Sequence, residues 1–140
     1  MVQEDLPVEV LSEAECWELL RANPFGRIAT SAGGVVDIFP VNYYVDGSSI
    51  LFRTAPGDKL VELTVNNNVT FELDGYTAEE AWSVIAKGQA IALDRDSEIE
   101  AAEALPLTSW LPTLKTTYVR IRPHSLTGRR FRRGPEPQWM

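Results

Sequence analysis

Residues 27–54, RIATSAGGVVDIFPVNYYVDGSSILFRT, decide the fold class because they predict three strands joined by two tight turns. The strands fall at residues 27–31, 35–45 and 49–54. The turns, Ala32-Gly33-Gly34 and Asp46-Gly47, are typical of β-hairpins. The middle strand carries apolar residues on both faces, so we expect it to be covered on two sides near its middle. Two hairpins in succession predict an antiparallel sheet.

The rest of the chain predicts three short helices and three further strands. The helices begin at a capping box of Ser12 and Glu15, at an N-cap of Asp58 and at a capping box of Ser97 and Glu100. The strands fall at residues 69–73, 82–93 and 116–122. Gly88 interrupts the second of these, which predicts a bulge, a bend or a close backbone approach.

The order of these elements is α-β-β-β-α-β-β-α-β, without the regular alternation of a doubly wound parallel sheet. We therefore predict a mainly β protein, a small antiparallel barrel with short helices packed outside it. Residues 1–140 form a single domain, in which residues 1–10 are an extended lead-in and residues 129–140 a less ordered tail.

Composition and charge exclude several classes of function. The net charge of −7 disfavours nucleic-acid binding, although arginines concentrate near the C-terminus. Three interpretations of that basic segment stay open: a solvated tail, a dimer contact, or a site for a nucleic acid or another anionic partner. No apolar run approaches the roughly 20 residues that span a bilayer, and no secretory signal is visible. We expect no membrane association and a cytoplasmic location.

Residues that carry chemistry are few. Cys16 and His124 are the single cysteine and the single histidine, which leaves no internal disulfide and no multi-residue zinc site. The chain has no GxSxG elbow, phosphate-binding P-loop or GxGxxG motif. We therefore predict no metal site and no hydrolytic triad. The sequence does not identify catalytic residues. We expect Cys16 to be a buried structural thiol.

Residues 52–60, FRTAPGDKL, run from a strand through a glycine turn into a helix. Free backbone N–H groups at a helix start favour a phosphate. Arg53, Thr54 and Lys59 would add charge and a hydroxyl group. The alternative is structural: Lys59 is then a surface helix residue and Arg53 a charge at the edge of the sheet.

Four segments resemble the pyridoxamine phosphate oxidase-like family, and most closely the branch that includes nitroimidazole-resistance proteins. They are residues 25–30, FGRIAT; 39–43, FPVNY; 52–60, FRTAPGDKL; and 82–90, WSVIAKGQA. The resemblance runs from about residue 12 to residue 130. It implies a six-stranded antiparallel split β-barrel that forms a homodimer with a flavin at each end of the subunit interface.

By this resemblance, the flavin ring of FMN is bound by Phe39, Pro40, Val41, Asn42 and Phe52. Its phosphate and ribityl chain are held by Arg53, Thr54 and Lys59. Leu60 also belongs to the site, and Trp82 approaches it from the partner subunit. One departure is Asp58, where many relatives carry a hydroxyl residue. A carboxylate there would repel a phosphate unless it points away as a helix cap.

The resemblance implies an FMN-dependent oxidoreductase that acts on a small-molecule substrate, with the flavin supplying the redox chemistry. Vitamin B6 oxidation is not expected, since the substrate-binding residues of those oxidases have no match here. Alternatives are an F420-dependent reductase, a flavin or small-ligand module without turnover, and a haem-binding relative with His124 as its ligand. Apolar residues on both faces of strands 35–45 and 82–93, with Trp82 and Trp110 left exposed in a monomer, also predict a homodimer.

Overall fold

The computed structural model describes residues 8–111, 115 and 117–136, and leaves the side chain of Asp58 outside this description. The chain forms three helices, α1 Glu13–Arg21, α2 Asp58–Val65 and α3 Asp96–Glu103. Its strands are β1 Val8–Val10, β2 Phe25–Ala32, β3 Val35–Asn42, β4 Tyr44–Asp46, β5 Ser49–Thr54, β6 Asn68–Tyr76, β7 Glu80–Ala92 and β8 Thr117–Arg132. No described helix is long and apolar enough to cross a bilayer.

The strands form one 8-stranded sheet in the order β3-β2-β6-β7-β8-β5-β4, with β1 added to β8, and every pairing is antiparallel. The first and last strands of this order, β3 and β4, are consecutive in the chain and are separated by Tyr43 alone. The sheet therefore curls and brings its two end strands near each other, which gives a half-barrel. The predicted mainly β, antiparallel split-barrel class is confirmed.

The strand count differs from six for two reasons. The predicted strand 35–45 is divided at Tyr43, whose side chain is buried and whose hydroxyl donates to the carbonyl of Leu20 at 2.7 Å. Its ring also meets Phe71 edge-on, with 4.9 Å between centroids. The second reason is β1, which lies in the predicted lead-in and pairs with the end of β8.

Helix α1 covers one end of the barrel, and its predicted capping box is confirmed. Ser12 Oγ accepts from the backbone N–H of Glu15 at 3.1 Å, and Glu15 Oε1 accepts from that of Ser12 at 2.9 Å. Cys16 and Leu20 are fully buried on its inner side. Burial raises the pKa of the Cys16 thiol, and Glu15 and Glu13 raise it further, as expected of a structural thiol.

Three local predictions are wrong. Helix α3 begins at Asp96 with Arg95 as its N-cap, so Ser97 lies inside the helix and makes no capping hydrogen bond. Helix α2 is capped by Gly57 rather than by Asp58, because Asp58 already belongs to the helix. The last strand does not end at residue 122. It continues to Arg132, so part of the predicted tail pairs with β7 in the sheet.

Gly88 explains how β7 and β8 pair over this length. The register shifts between Lys87 and Gly88, which confirms the predicted irregularity. A Cβ atom on Gly88 would stand 2.2 Å from the carbonyl oxygen of Arg122. Both the bulge and the close approach that the glycine predicts are present.

Candidate functional site

A cavity of about 290 Å³ opens where β2 and β3 approach β5 and the start of α2. It is lined by Phe25, Pro40, Val41, Asn42, Arg53, Lys59, Leu107, Thr108, Ser109, Trp110, Leu111 and Lys115. The structure thus brings together Pro40, Val41 and Asn42 with Arg53 and Lys59, as the sequence predicts.

Lys59 rests on two aromatic rings that were also predicted for this site. Its Nζ atom lies 5.2 Å from the centroid of the Phe39 ring and 5.7 Å from that of Phe52. Burial lowers the pKa of the Lys59 ammonium, and the positive charge of Lys115 lowers it further. Phe39 and Phe52 therefore pack against the cation, and neither is among the described lining residues of the cavity.

Arg53 carries a buried polar atom without a partner. Its Nε atom makes no hydrogen bond within the described structure. Its guanidinium carbon lies 5.8 Å from the centroid of the Tyr118 ring. A buried guanidinium donor without an acceptor is costly, and a bound anion would satisfy it.

The cavity gathers positive charge in an acidic protein. Arg53, Lys59 and Lys115 line it, and no acidic side chain occurs among its described lining residues. The Lys115 ammonium also donates to the carbonyl of Leu111 at 2.8 Å, which joins the basic cluster to residues 107–111. A site with this charge and one apolar wall suits an anionic ligand with a flat apolar part.

Asn42 lines the cavity and also holds two neighbouring segments. Its Nδ2 atom donates to the carbonyl of Pro24 at 3.2 Å, and its Oδ1 atom accepts from the backbone N–H of Trp110 at 2.9 Å. Both ends of the amide are engaged in holding neighbouring segments. Asn42 therefore positions the wall of the cavity.

That wall contains residues that the sequence did not indicate. Trp110 stacks on Phe25, with 4.7 Å between ring centroids and 13° between planes. The segment 107–111 lies outside every predicted strand and was not assigned to the site, and Phe25 was predicted only as part of a family motif. These residues are far apart in the chain and follow no periodicity, so only the folded structure brings them together.

Three predicted site residues lie away from the cavity. Thr54 is buried, and its hydroxyl donates to the carbonyl of Ala55 at 3.2 Å. Leu60 packs against the hydrophobic core. Trp82 lines a separate groove with Gly75, Tyr76 and Phe131, and its Nε1 atom is buried without a partner in the described structure. Within one subunit, Trp82 does not reach the cavity.

His124 lies in a further groove beside Lys87 and Thr70. Among the described residues, no group of three or more histidine, cysteine, aspartate or glutamate side chains is placed to hold a metal ion.

The family model described as pyridoxamine 5'-phosphate oxidase matches residues 12–130. The chain belongs to this family. The resemblance inferred from four sequence segments is thereby confirmed.

Alignments with similar proteins cover most of the chain. Two uncharacterized proteins of Mycobacterium tuberculosis are 45% identical over 93 residues, which is 66% of this chain and 84% of theirs. A Corynebacterium glutamicum structure assigned to the pyridoxamine 5'-phosphate oxidases is 42% identical, covers 94% of this chain and 98% of its own, and has a TM-score of 0.87. The structure of the FAD binding protein from Mycobacterium smegmatis is 43% identical, covers 88% and 98%, and has a TM-score of 0.76.

Proposed function

We propose that the cavity binds a flavin through the FMN moiety, and that the protein is a flavin-dependent oxidoreductase acting on a small-molecule substrate. The observation that carries this proposal is the position of Arg53 and Lys59 beside the Pro40–Val41 wall in one cavity. Cations and an apolar surface in the same cavity match a flat ring that carries a phosphate.

Each part of the site has a distinct role in this proposal. Lys59 and Arg53 bind the phosphate, and the anion supplies the acceptor that Arg53 Nε lacks. Pro40 and Val41 present backbone and apolar contacts to the ring, while Asn42 holds the segment that carries Trp110. When bound, the flavin supplies the hydride or electron transfer, and the protein binds and orients it.

Both FMN and FAD contain the moiety that this site would bind. FMN is the cofactor predicted from the sequence. FAD is favoured by the 43% identical Mycobacterium smegmatis protein, which is an FAD binding protein. We therefore propose the shared FMN moiety as the element that Lys59 and Arg53 recognise.

The test is a titration of the purified protein with FMN, FAD, riboflavin and F420. Binding is measured by the quenching of flavin fluorescence and by the change in the melting temperature of the protein. We expect saturating FMN or FAD to raise the melting temperature, since ligand at about 100 times its dissociation constant adds about 2.7 kcal/mol of stability. A rise with F420 and none with either flavin would reassign the cofactor.

A flavin-binding module without turnover is the second candidate. It is favoured by the lack of a carboxylate or imidazole among the described lining residues, which leaves only ammonium, guanidinium, amide and hydroxyl groups in that lining. Bound flavin is reduced by light without oxygen, with EDTA as the sacrificial electron donor, and is then mixed with small electron acceptors. Reoxidation faster than that of free reduced flavin supports an oxidoreductase, and an equal or slower rate supports a binding module.

A further inference from the structure

Trp110 is an exposed aromatic residue that is nevertheless held in place. Its side chain is 62% exposed, although it lines the cavity. Phe25 stacks on one face of the indole at 4.7 Å, and the Asn42 side chain accepts the Trp110 backbone N–H at 2.9 Å. A ring fixed on one face and open on the other is a preformed stacking surface.

This surface is next to the basic cluster. The residue after Trp110 is Leu111, whose carbonyl accepts a hydrogen bond from the Lys115 ammonium at 2.8 Å. Lys115 and Lys59 line the same cavity. Positive charge therefore extends from Lys59 to the segment that carries Trp110.

We infer that the open face of Trp110 stacks against the purine ring of a dinucleotide flavin, and that the site therefore favours FAD over FMN. This inference rests on the proposed function. In it, Lys115 extends the phosphate site to a diphosphate, and Trp110 binds the adenine. Stacking of a base on an aromatic side chain contributes about fivefold to a hundredfold in affinity.

The chemistry of the surface favours a base over an aliphatic ligand. Every nucleobase has a flat π-face, so stacking needs no hydrogen-bonding group on the protein. The indole offers the largest such face among the side chains that line this cavity. The bond from Asn42 to the Trp110 backbone leaves the ring itself free for the ligand.

The experiment compares dissociation constants of FAD and FMN for the wild type, Trp110→Ala and Trp110→Phe. We expect Trp110→Ala to weaken FAD by about tenfold or more and to change FMN by less than about twofold. Trp110→Phe keeps an aromatic face and should stay within about threefold of the wild type for FAD. Val61→Ala is the matched control, because Val61 is 62% exposed, as Trp110 is, and is not among the described lining residues of the cavity.

The outcomes separate this inference from the proposed function. Equal losses of FAD and FMN in Trp110→Ala would place Trp110 at the shared moiety or in folding, and would overturn the inference while flavin binding stands. Unchanged FAD affinity would overturn it as well. A wild type that binds neither FAD nor FMN would overturn both the inference and the proposed function.

Discussion

The Lys59 ammonium lies 5.2 Å from the centroid of the Phe39 ring. Phe39 belongs to β3, at one end of the strand order, and Lys59 follows β5, near the other end. The contact joins the two ends that the curled sheet brings near each other. The curling of the sheet therefore positions the cation of the proposed phosphate site. The same curling partly buries the Lys59 ammonium, which lowers its pKa.

Removing either proposed phosphate ligand should weaken FMN far more than riboflavin. Lys59→Ala and Arg53→Ala each delete one charge-assisted contact, which contributes about 1.5–3 kcal/mol, or one to two decades in affinity. Riboflavin lacks the phosphate, so its affinity should hardly change. Fluorescence titrations of both ligands measure the difference, and Lys87→Ala is the control at a lysine outside the cavity. Equal losses for FMN and riboflavin would remove the phosphate assignment.

Gly88→Ala should destabilise the fold. The new Cβ would stand 2.2 Å from the carbonyl oxygen of Arg122 and 2.7 Å from Cα of Pro123, and both of these atoms belong to the backbone of β8. Because backbone cannot rotate away, we expect a loss of about 2 kcal/mol or more in the free energy of unfolding. Gly134→Ala is the matched control, since no described residue beyond its two chain neighbours has a heavy atom within 4 Å of its Cβ position. Equal urea midpoints for the two variants would contradict the expected clash.

The hairpins and their turns could be predicted because their determinants are local. Gly33, Gly34 and Gly47 all have positive φ, which is the conformation that the turn sequences Gly-Gly and Asp-Gly allow. The alternation in β6 likewise shows directly which residues face the core. For these elements, neighbouring residues carry enough information to fix the structure.

The second half of β8 could not be predicted, because its determinants are distant in the chain. Arg129 and Arg130 resemble a solvated charge run, yet they pair with Ser83 and Trp82 in β7. Gly128 lies in β8 between β7 and helix α1, and its lack of a side chain lets this part of β8 pack beneath the helix. A Cβ atom on Gly128 would lie 2.7 Å from the Cys16 sulfur. Tertiary pairing overrides a local preference for solvent in this segment.

Only part of the candidate site could be inferred from the sequence, because some of its residues lie in local motifs and others meet only through the fold. Pro40, Val41, Arg53 and Lys59 lie in family motifs and could be inferred from the sequence. The stack of Trp110 on Phe25 could not, because it joins residues far apart in the chain through a loop without periodicity.

We expect the protein to be a homodimer in solution. Tyr76 and Phe131 are 74% and 43% exposed and line one groove with Trp82, whose Nε1 atom lacks a partner in the described structure. An exposed aromatic groove of this kind is typical of an interface. Sedimentation equilibrium at micromolar concentration should give twice the chain mass of 15.6 kDa. We expect Phe131→Glu to shift it towards monomer, whereas a monomeric wild type would refute the dimer.

The carboxyl group of Glu72 should make stability depend on pH near neutrality. Partial burial raises its pKa to about 7, and the neighbouring Asp74 contributes, while Arg27, whose Nη1 is 3.1 Å from Glu72 Oε1, opposes the shift. The folded state therefore holds this proton more tightly than the unfolded chain. The stabilisation is fully present below the unfolded pKa of about 4.5 and is lost as the pH rises through about 7.

Glu72→Gln removes this titration and keeps a hydrogen-bonding side chain. At pH 8 the variant should be more stable than the wild type by about 1 kcal/mol, a rise of about 3–6 °C in melting temperature. The pKa shift alone would give a larger gain in the free energy of unfolding. The gain is reduced because the substitution also weakens the contact between Glu72 and Arg27. At pH 4.5, where the glutamate is protonated when folded, the two proteins should melt together. The exposed carboxylate of Glu103 on α3 serves as the control, and Glu103→Gln should leave the pH profile unchanged. A melting-temperature difference between Glu72→Gln and wild type that is the same at pH 4.5 and pH 8 would show that Glu72 does not take up a proton on folding.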